Sequence, residues 1–145
     1  MKTKELYQYK VSYISVNEAT TKITGSKHVE KSLRYIWEDI NDIEKFYIVT
    51  LNRANFITGI NLISIGGFSG TIADGKVIFR NALLNNAHAI ILAHNHPSGQ
   101  LQPSESDKNL TKKMVEFGKM IDCPILDHII LTSTSYYSFA DNGNI

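Results

Sequence analysis

The sequence predicts an α/β fold: a mixed β-sheet flanked by helices. Three observations carry that expectation. Short apolar runs bounded by turn residues recur at EKFYIVTLN (44–52), AIILAH (89–94) and ILDHIIL (125–131), the pattern of strands buried in a sheet. Two other stretches, after Ser26 and after Ser104, repeat apolar residues at helical spacing. The two kinds of segment interleave along the chain, as they do where helices cover a sheet.

LYQYKVSYISV (6–16) places Tyr7, Tyr9, Val11 and Tyr13 at period two and predicts a first strand. TGS (24–26) breaks the chain. Ser26 is then a good N-cap for a helix carrying Val29, Leu33, Ile36, Trp37 and Ile40, with Trp37 in the core. EKFYIVTLN (44–52), the turn NRAN (52–55) and FITGINLISIG (56–66) predict a hairpin. GGFSG (66–70) is flexible punctuation; it lacks the GK[ST] ending of a phosphate loop. After ADG (73–75) a helix is expected to about Leu84, ending near Asn85 and Asn86. AIILAH is a central strand. A helix with Leu110, Met114, Phe117 and Ile121 on one face follows, and Cys123-Pro124 ends it. ILDHIIL is a buried strand, TSTS (132–135) a turn and YYSFA (136–140) a last strand before the DNG turn.

The chain has 145 residues, which fits one domain over 1–145, with an N-terminal strand and helix at about 6–40 and the remaining core at 41–145. Net charge is +1, from 15 basic and 14 acidic residues, and no basic stripe stands out. Direct nucleic-acid binding is therefore doubted. No apolar run reaches signal-peptide or membrane-span length, so a cytoplasmic protein is expected. The single cysteine, Cys123, excludes an intrachain disulfide and a CxxC zinc site, and a small buried hydrophobe is its expected role.

The chemistry concentrates in HNHPSGQLQPSESD (94–107). Residues i and i+2 of a strand share a face, so His94 and His96 project together from the end of a central strand. Two imidazoles on one edge are half of a tetrahedral zinc site. Asp107 is the candidate third ligand, and a His₂Asp set would leave the fourth position open for water, the catalytic rather than the structural arrangement. Ser104-x-x-Asp107 also spells a capping-box-like helix start, with Ser104 as N-cap and Asp107 at N3. Both roles are compatible. A hydrolase would need a general base as well. No glutamate lies between Glu44 and His94, and the only acidic residue there is Asp74. Glu44 alone among the upstream glutamates immediately precedes a buried strand. It is nominated, with a surface carboxylate at a strand entry as the competing reading.

Taken together, Glu44, His94-Asn95-His96-Pro97, Ser104 and Asp107 resemble the JAMM (MPN+) metalloprotease signature. AIILAHNHPSG (89–99), PSESD (103–107) and LDHIIL (126–131) are most similar to the bacterial RadC-like JAB domain. The resemblance covers roughly Asp39 to the end. It implies the JAB/MPN fold, similar in layout to cytidine deaminases, with a curved mixed sheet and packed helices. It implies Zn2+ held by His94, His96 and Asp107, water activated by Glu44 without direct ligation, and Ser104 steadying an oxyanion. Attack on an amide carbonyl would make the protein a zinc-dependent hydrolase, a peptidase or isopeptidase. JAMM relatives cleave bonds next to ubiquitin-like C-termini, and RadC-like proteins carry a "DNA repair" label. Two departures stand out. Only about 40 residues precede Glu44, so the N-terminal helical DNA-binding segment of many RadC-like chains is expected to be absent. Where relatives often read Pro-Arg-Glu, this chain reads Asp74-Gly75-Lys76-Val77.

Other histidines have smaller roles. His88 lies too far along its strand to share a metal with His94. His128 is either a satisfied core histidine or a hydrogen-bonding support of the site. His28 is expected at the surface. Asn95 points away from the metal by strand alternation, which suits an anchoring hydrogen bond. The alternatives to a metallohydrolase are a non-catalytic binding module or a DNA-repair-associated factor of RadC type. A nucleobase deaminase is disfavoured because H-x-E and P-C-x-x-C are missing.

Overall fold

The computed structural model describes residues 22–66 and 73–145. The strand expected over 6–16 and the GGFSG stretch from residue 67 onward lie outside them. In chain order the elements are α1 (Ser26–Ile36), β1 (Lys45–Leu51), β2 (Ile57–Ile65), α2 (Gly75–Leu84), β3 (Ala89–Asn95), α3 (Glu105–Met120), β4 (Ile125–Leu131) and β5 (Tyr136–Ser138). The five strands form one mixed sheet in the order β2-β1-β3-β4-β5. β3 runs antiparallel to β1 and parallel to β4, while β1–β2 and β4–β5 are antiparallel. A parallel neighbour needs a crossover, and α3 supplies it.

All seven residues of β3 are buried because helices cover both faces of the sheet. Ala89, Ile91 and Ala93 pack with Val49, Leu51, Ile129 and Leu131 against Val29 and Leu33 of α1 and against Trp37. Ile90 and Leu92 pack with Phe46 and Ile48 against Ile78, Phe79 and Ala82 of α2 and Met114 of α3. Full burial of one such aliphatic side chain contributes about 1.5–3 kcal/mol. His94 continues the second face, so alternation along β3 carries it to the end of the α2/α3 layer.

Several element ends follow directly from side-chain chemistry. Asn52 Oδ1 accepts from the N–H groups of Ala54 and Phe56 and closes the β1–β2 turn, with Asn55 at φ 63°. Asp74 caps α2 by accepting from Lys76 N at 2.8 Å. Gly118 marks a close approach, since a Cβ there would stand 2.6 Å from the Cys123 carbonyl oxygen. Cys123 is buried, and burial pushes its thiol up, as suits a small core residue.

Three expectations change. Ser26 is the first helical residue, not the N-cap, and Gly25 precedes it without a side-chain cap. The Ser26 hydroxyl instead donates to Asp141 at 2.5 Å and meets Tyr136 Oη at 3.1 Å, tying α1 to the far end of the chain. α1 also ends at Ile36. Trp37 is extended and Asp39 sits at φ 59°, so the chain leaves the helix before Ile40. Trp37 is nevertheless buried, as expected. β5 is shorter than 136–140, because the Ala140 N–H turns to the Asp127 carboxylate.

Candidate metal centre

The C-terminal end of β3, the start of α3 and the residue before β1 meet at one point. β1 pairs with β3 in a register that sets Phe46 opposite His94, so Glu44 enters beside the end of β3. Ligand atoms of Glu44, His94 and His96 lie within 4.8 Å of one another and are positioned to bind a metal ion. His94 Nε2 and His96 Nε2 are 3.0 Å apart. The two Asp107 oxygens stand 3.3 Å from His94 Nε2 and 3.4 Å from His96 Nε2. Glu44 Oε1 is farther, 4.0 Å from His94 Nε2.

These separations test whether the residues fit a metal. Ligands at about 2.0–2.1 Å from a tetrahedral zinc are about 3.3 Å from each other. The contacts among His94, His96 and Asp107 match such an edge, and the longer distance to Glu44 leaves room for an intervening water. The donor set is nitrogen and carboxylate oxygen, which suits zinc.

The supports are local. The Ser104 hydroxyl accepts from Asp107 N at 3.0 Å, and the Ser104 N–H donates to Asp107 Oδ2 at 2.8 Å, a complete capping box. The cap that starts α3 also fixes the Asp107 carboxylate beside the imidazoles. Caps of this kind contribute about 1 kcal/mol. His96 Nδ1 donates to the Gln100 carbonyl at 2.6 Å, closing the 97–100 turn and leaving Nε2 toward His94.

Electrostatics follow the same contacts. Burial opposes ionisation of Asp107, but the adjacent His94 and His96 imidazoles outweigh it and hold the carboxyl far below its usual range. The Asp107 carboxylate raises the His96 pKa against the opposing effect of burial, helped by the Gln100 carbonyl. Burial drives the His128 pKa well down, so this imidazole is neutral.

Asn95 is fully buried on the opposite face of β3 and serves as a clamp. Its Oδ1 accepts from Lys45 N at 2.7 Å, and its Nδ2 donates to the carbonyls of Ile40 and Ile43 at 2.8 and 2.9 Å. The segment that carries Glu44 is thus bonded to the residue between the two histidines. That anchoring role was expected; its partners were not. His128 takes the supporting role, with Nε2 2.8 Å from His94 Nδ1. Thr111, 2.6 Å from His128 Nδ1, went unrecognised. Its only sequence signal is the four-residue spacing from Asp107, which puts both on one helix face. His88 is exposed at the other end of β3, and His28 is exposed on α1, both away from the cluster.

Comparison with known proteins places this arrangement. The RadC-like JAB domain family matches residues 23–144. A UPF0758 protein of Flavobacterium johnsoniae is 43% identical over 122 residues, which is 84% of this chain and 53% of that one. A UPF0758 protein of Clostridium botulinum is 36% identical over 136 residues, 92% of this chain and 58% of its own. One from Symbiobacterium thermophilum is 36% identical over 101 residues, 70% of this chain and 43% of that one. The chain spans about half the length of the curated relatives it matches. With the mixed sheet and its flanking helices consistent with a JAB/MPN fold, and with Glu44, His94, His96 and Asp107 all inside the matched region, the chain belongs to the RadC-like JAB domain family.

Proposed function

We propose that this domain is a zinc-dependent metallohydrolase, a peptidase or isopeptidase acting on an amide carbonyl. The observation that carries the reading is the convergence of His94 Nε2, His96 Nε2 and the Asp107 carboxylate at 3.0–3.4 Å, with Glu44 just outside. His94, His96 and Asp107 would hold the metal. Zinc bound there would supply Lewis acidity, polarising the scissile carbonyl and lowering the pKa of water toward about 7. Glu44 would take the proton of the attacking water and deliver it to the departing amine nitrogen. Ser104 accepts the Asp107 N–H through a lone pair, which leaves its hydroxyl proton to donate to the developing oxyanion. Asn95 would keep the Glu44 segment in register with the two histidines.

The test is a screen of zinc-loaded protein against peptide and isopeptide libraries, with His96→Ala as the metal-site control. Glu44→Gln is expected to retain zinc and to lose hydrolysis by roughly 100-fold or more. Equal hydrolysis by Glu44→Gln would remove Glu44 as the base. Protein purified without chelator but free of zinc would favour a non-catalytic binding module. Salt-dependent binding to duplex DNA would favour a DNA-repair-associated role.

A further inference from the structure

Behind the metal-facing side of His94 runs a buried chain of polar contacts. Thr111, His128 and His94 are 2%, 0% and 1% exposed. The Thr111 hydroxyl oxygen lies 2.6 Å from the Asp107 carbonyl oxygen, one turn earlier on α3, and 2.6 Å from His128 Nδ1. His128 Nε2 lies 2.8 Å from His94 Nδ1. Each of these contacts needs one proton between its two atoms.

The proton count fixes the direction of the whole chain. A hydroxyl has one proton, and a carbonyl oxygen only accepts. The Thr111 proton therefore goes to Asp107, and the Thr111 oxygen accepts from His128 Nδ1. A neutral imidazole has one N–H and one lone pair, so His128 Nε2 is the acceptor. His94 must then carry its proton on Nδ1, which leaves Nε2 bare.

We propose that Thr111 and His128 are positioning residues that set the tautomer of His94, aiming its Nε2 lone pair at Glu44, His96 and Asp107. The relay starts at the main-chain carbonyl of Asp107, the same residue whose carboxylate lies across the cluster. His96 reaches the same tautomer by a shorter route, through the Gln100 carbonyl. Ring stacking resists rotation: Phe46 lies parallel to His94 with centroids 5.8 Å apart, and Phe139 parallel to His128 at 4.8 Å. The bare Nε2 of His94 then stands 3.0 Å from His96 Nε2, a contact in which it can only accept, and 3.3 Å from Asp107 Oδ1. The inference rests on the metal-centre reading for its purpose, but its proton count holds in metal-free protein.

Long-range proton–nitrogen correlation spectra of the metal-free protein, at mildly basic pH, read the tautomers directly. His94 and His128 are both expected to be protonated on Nδ1. Thr111→Val keeps the side-chain shape and removes the hydroxyl. His128 then shifts its proton to Nε2 and turns His94 to the Nε2–H form. Zinc affinity, measured by chelator competition, should fall roughly 10- to 100-fold. Thr111→Ser should restore both the spectrum and the affinity. A wild-type His94 protonated on Nε2 overturns the proposal, and so does a Thr111→Val protein with unchanged tautomers and unchanged affinity. A wild-type protein with the stated tautomers that binds no zinc upholds the relay and refutes only the metallohydrolase reading.

Discussion

Replacing Asn95 with alanine isolates the clamp that joins the Glu44 segment to β3. The side chain is fully buried and makes three hydrogen bonds, to Lys45 N and to the carbonyls of Ile40 and Ile43. At about 1 kcal/mol net for each, Asn95→Ala should cost about 3 kcal/mol. In a domain of this size that lowers Tm by roughly 6–12 °C. Asn95→Asp sharpens the argument. It keeps the shape and the acceptor for Lys45 but sets a carboxylate oxygen against two carbonyls. Its penalty at neutral pH should exceed that of alanine and shrink in acid, where the new carboxyl gains a proton to donate. Urea unfolding with a common slope gives the free energies, and thermal unfolding gives the Tm values. Asn95 faces away from the two imidazoles, so zinc affinity in Asn95→Ala should stay within about 3-fold of wild type, well short of the 10- to 100-fold losses expected when a ligand's own support is removed. Hydrolysis should fall, because Glu44 is no longer held. A loss below about 0.5 kcal/mol would refute the clamp, and zinc loss comparable to that of His96→Ala would refute the separation of the two faces.

Other predictions address the metal, the core carboxylate and a close approach. Zinc at 100 times its Kd should stabilise the domain by about 2.7 kcal/mol and raise Tm by roughly 5–10 °C, reversibly with chelator. The metal-free protein should follow the opposite pH trend. The raised His96 pKa gives stability that is fully present below about 6.5 and lost as pH rises through its folded value. Zinc instead competes with that proton, so the Tm gap between loaded and metal-free protein should widen with rising pH. Asp127 accepts from His128 N, Ala140 N and the Ser138 hydroxyl, yet burial raises its pKa. A carboxyl raised in the folded state loses stability as pH climbs from the ordinary carboxylate range through its folded value. Asp127→Asn should match or exceed wild-type stability at neutral pH, with the advantage disappearing in acid, while Asp127→Ala loses about 3 kcal/mol in urea unfolding. Gly118→Ala should lower Tm even though helix propensity favours alanine by about 1 kcal/mol, because the new Cβ meets a backbone carbonyl at 2.6 Å.

Much of the site was legible because it is written in local periodicities. AIILAH announces a strand, period two puts His94 and His96 on one side of its end, and Ser104-x-x-Asp107 announces a helix cap. Those rules act within a few residues, so sequence alone fixed β3, α3 and the candidate ligands. The helix from Ser26 was only half legible. Its apolar stripe predicted Val29, Leu33 and Trp37 in the core, but Asp141 and Tyr136, more than a hundred residues away, claim the Ser26 hydroxyl that would have capped it. Periodicity names a face and not the neighbour that covers it, so the sheet order β2-β1-β3-β4-β5 and the setting of Glu44 beside His94 came only from tertiary structure. The supports of the site were the least legible. Gln100, Ile40, Ile43 and Asp107 act there through main-chain carbonyls, which every residue possesses and no side chain marks. HNHPSGQLQPSESD determined which atoms could bind a metal. The fold decided which nitrogen of His94 keeps its proton, because that depends on partners brought in from α3 and β4.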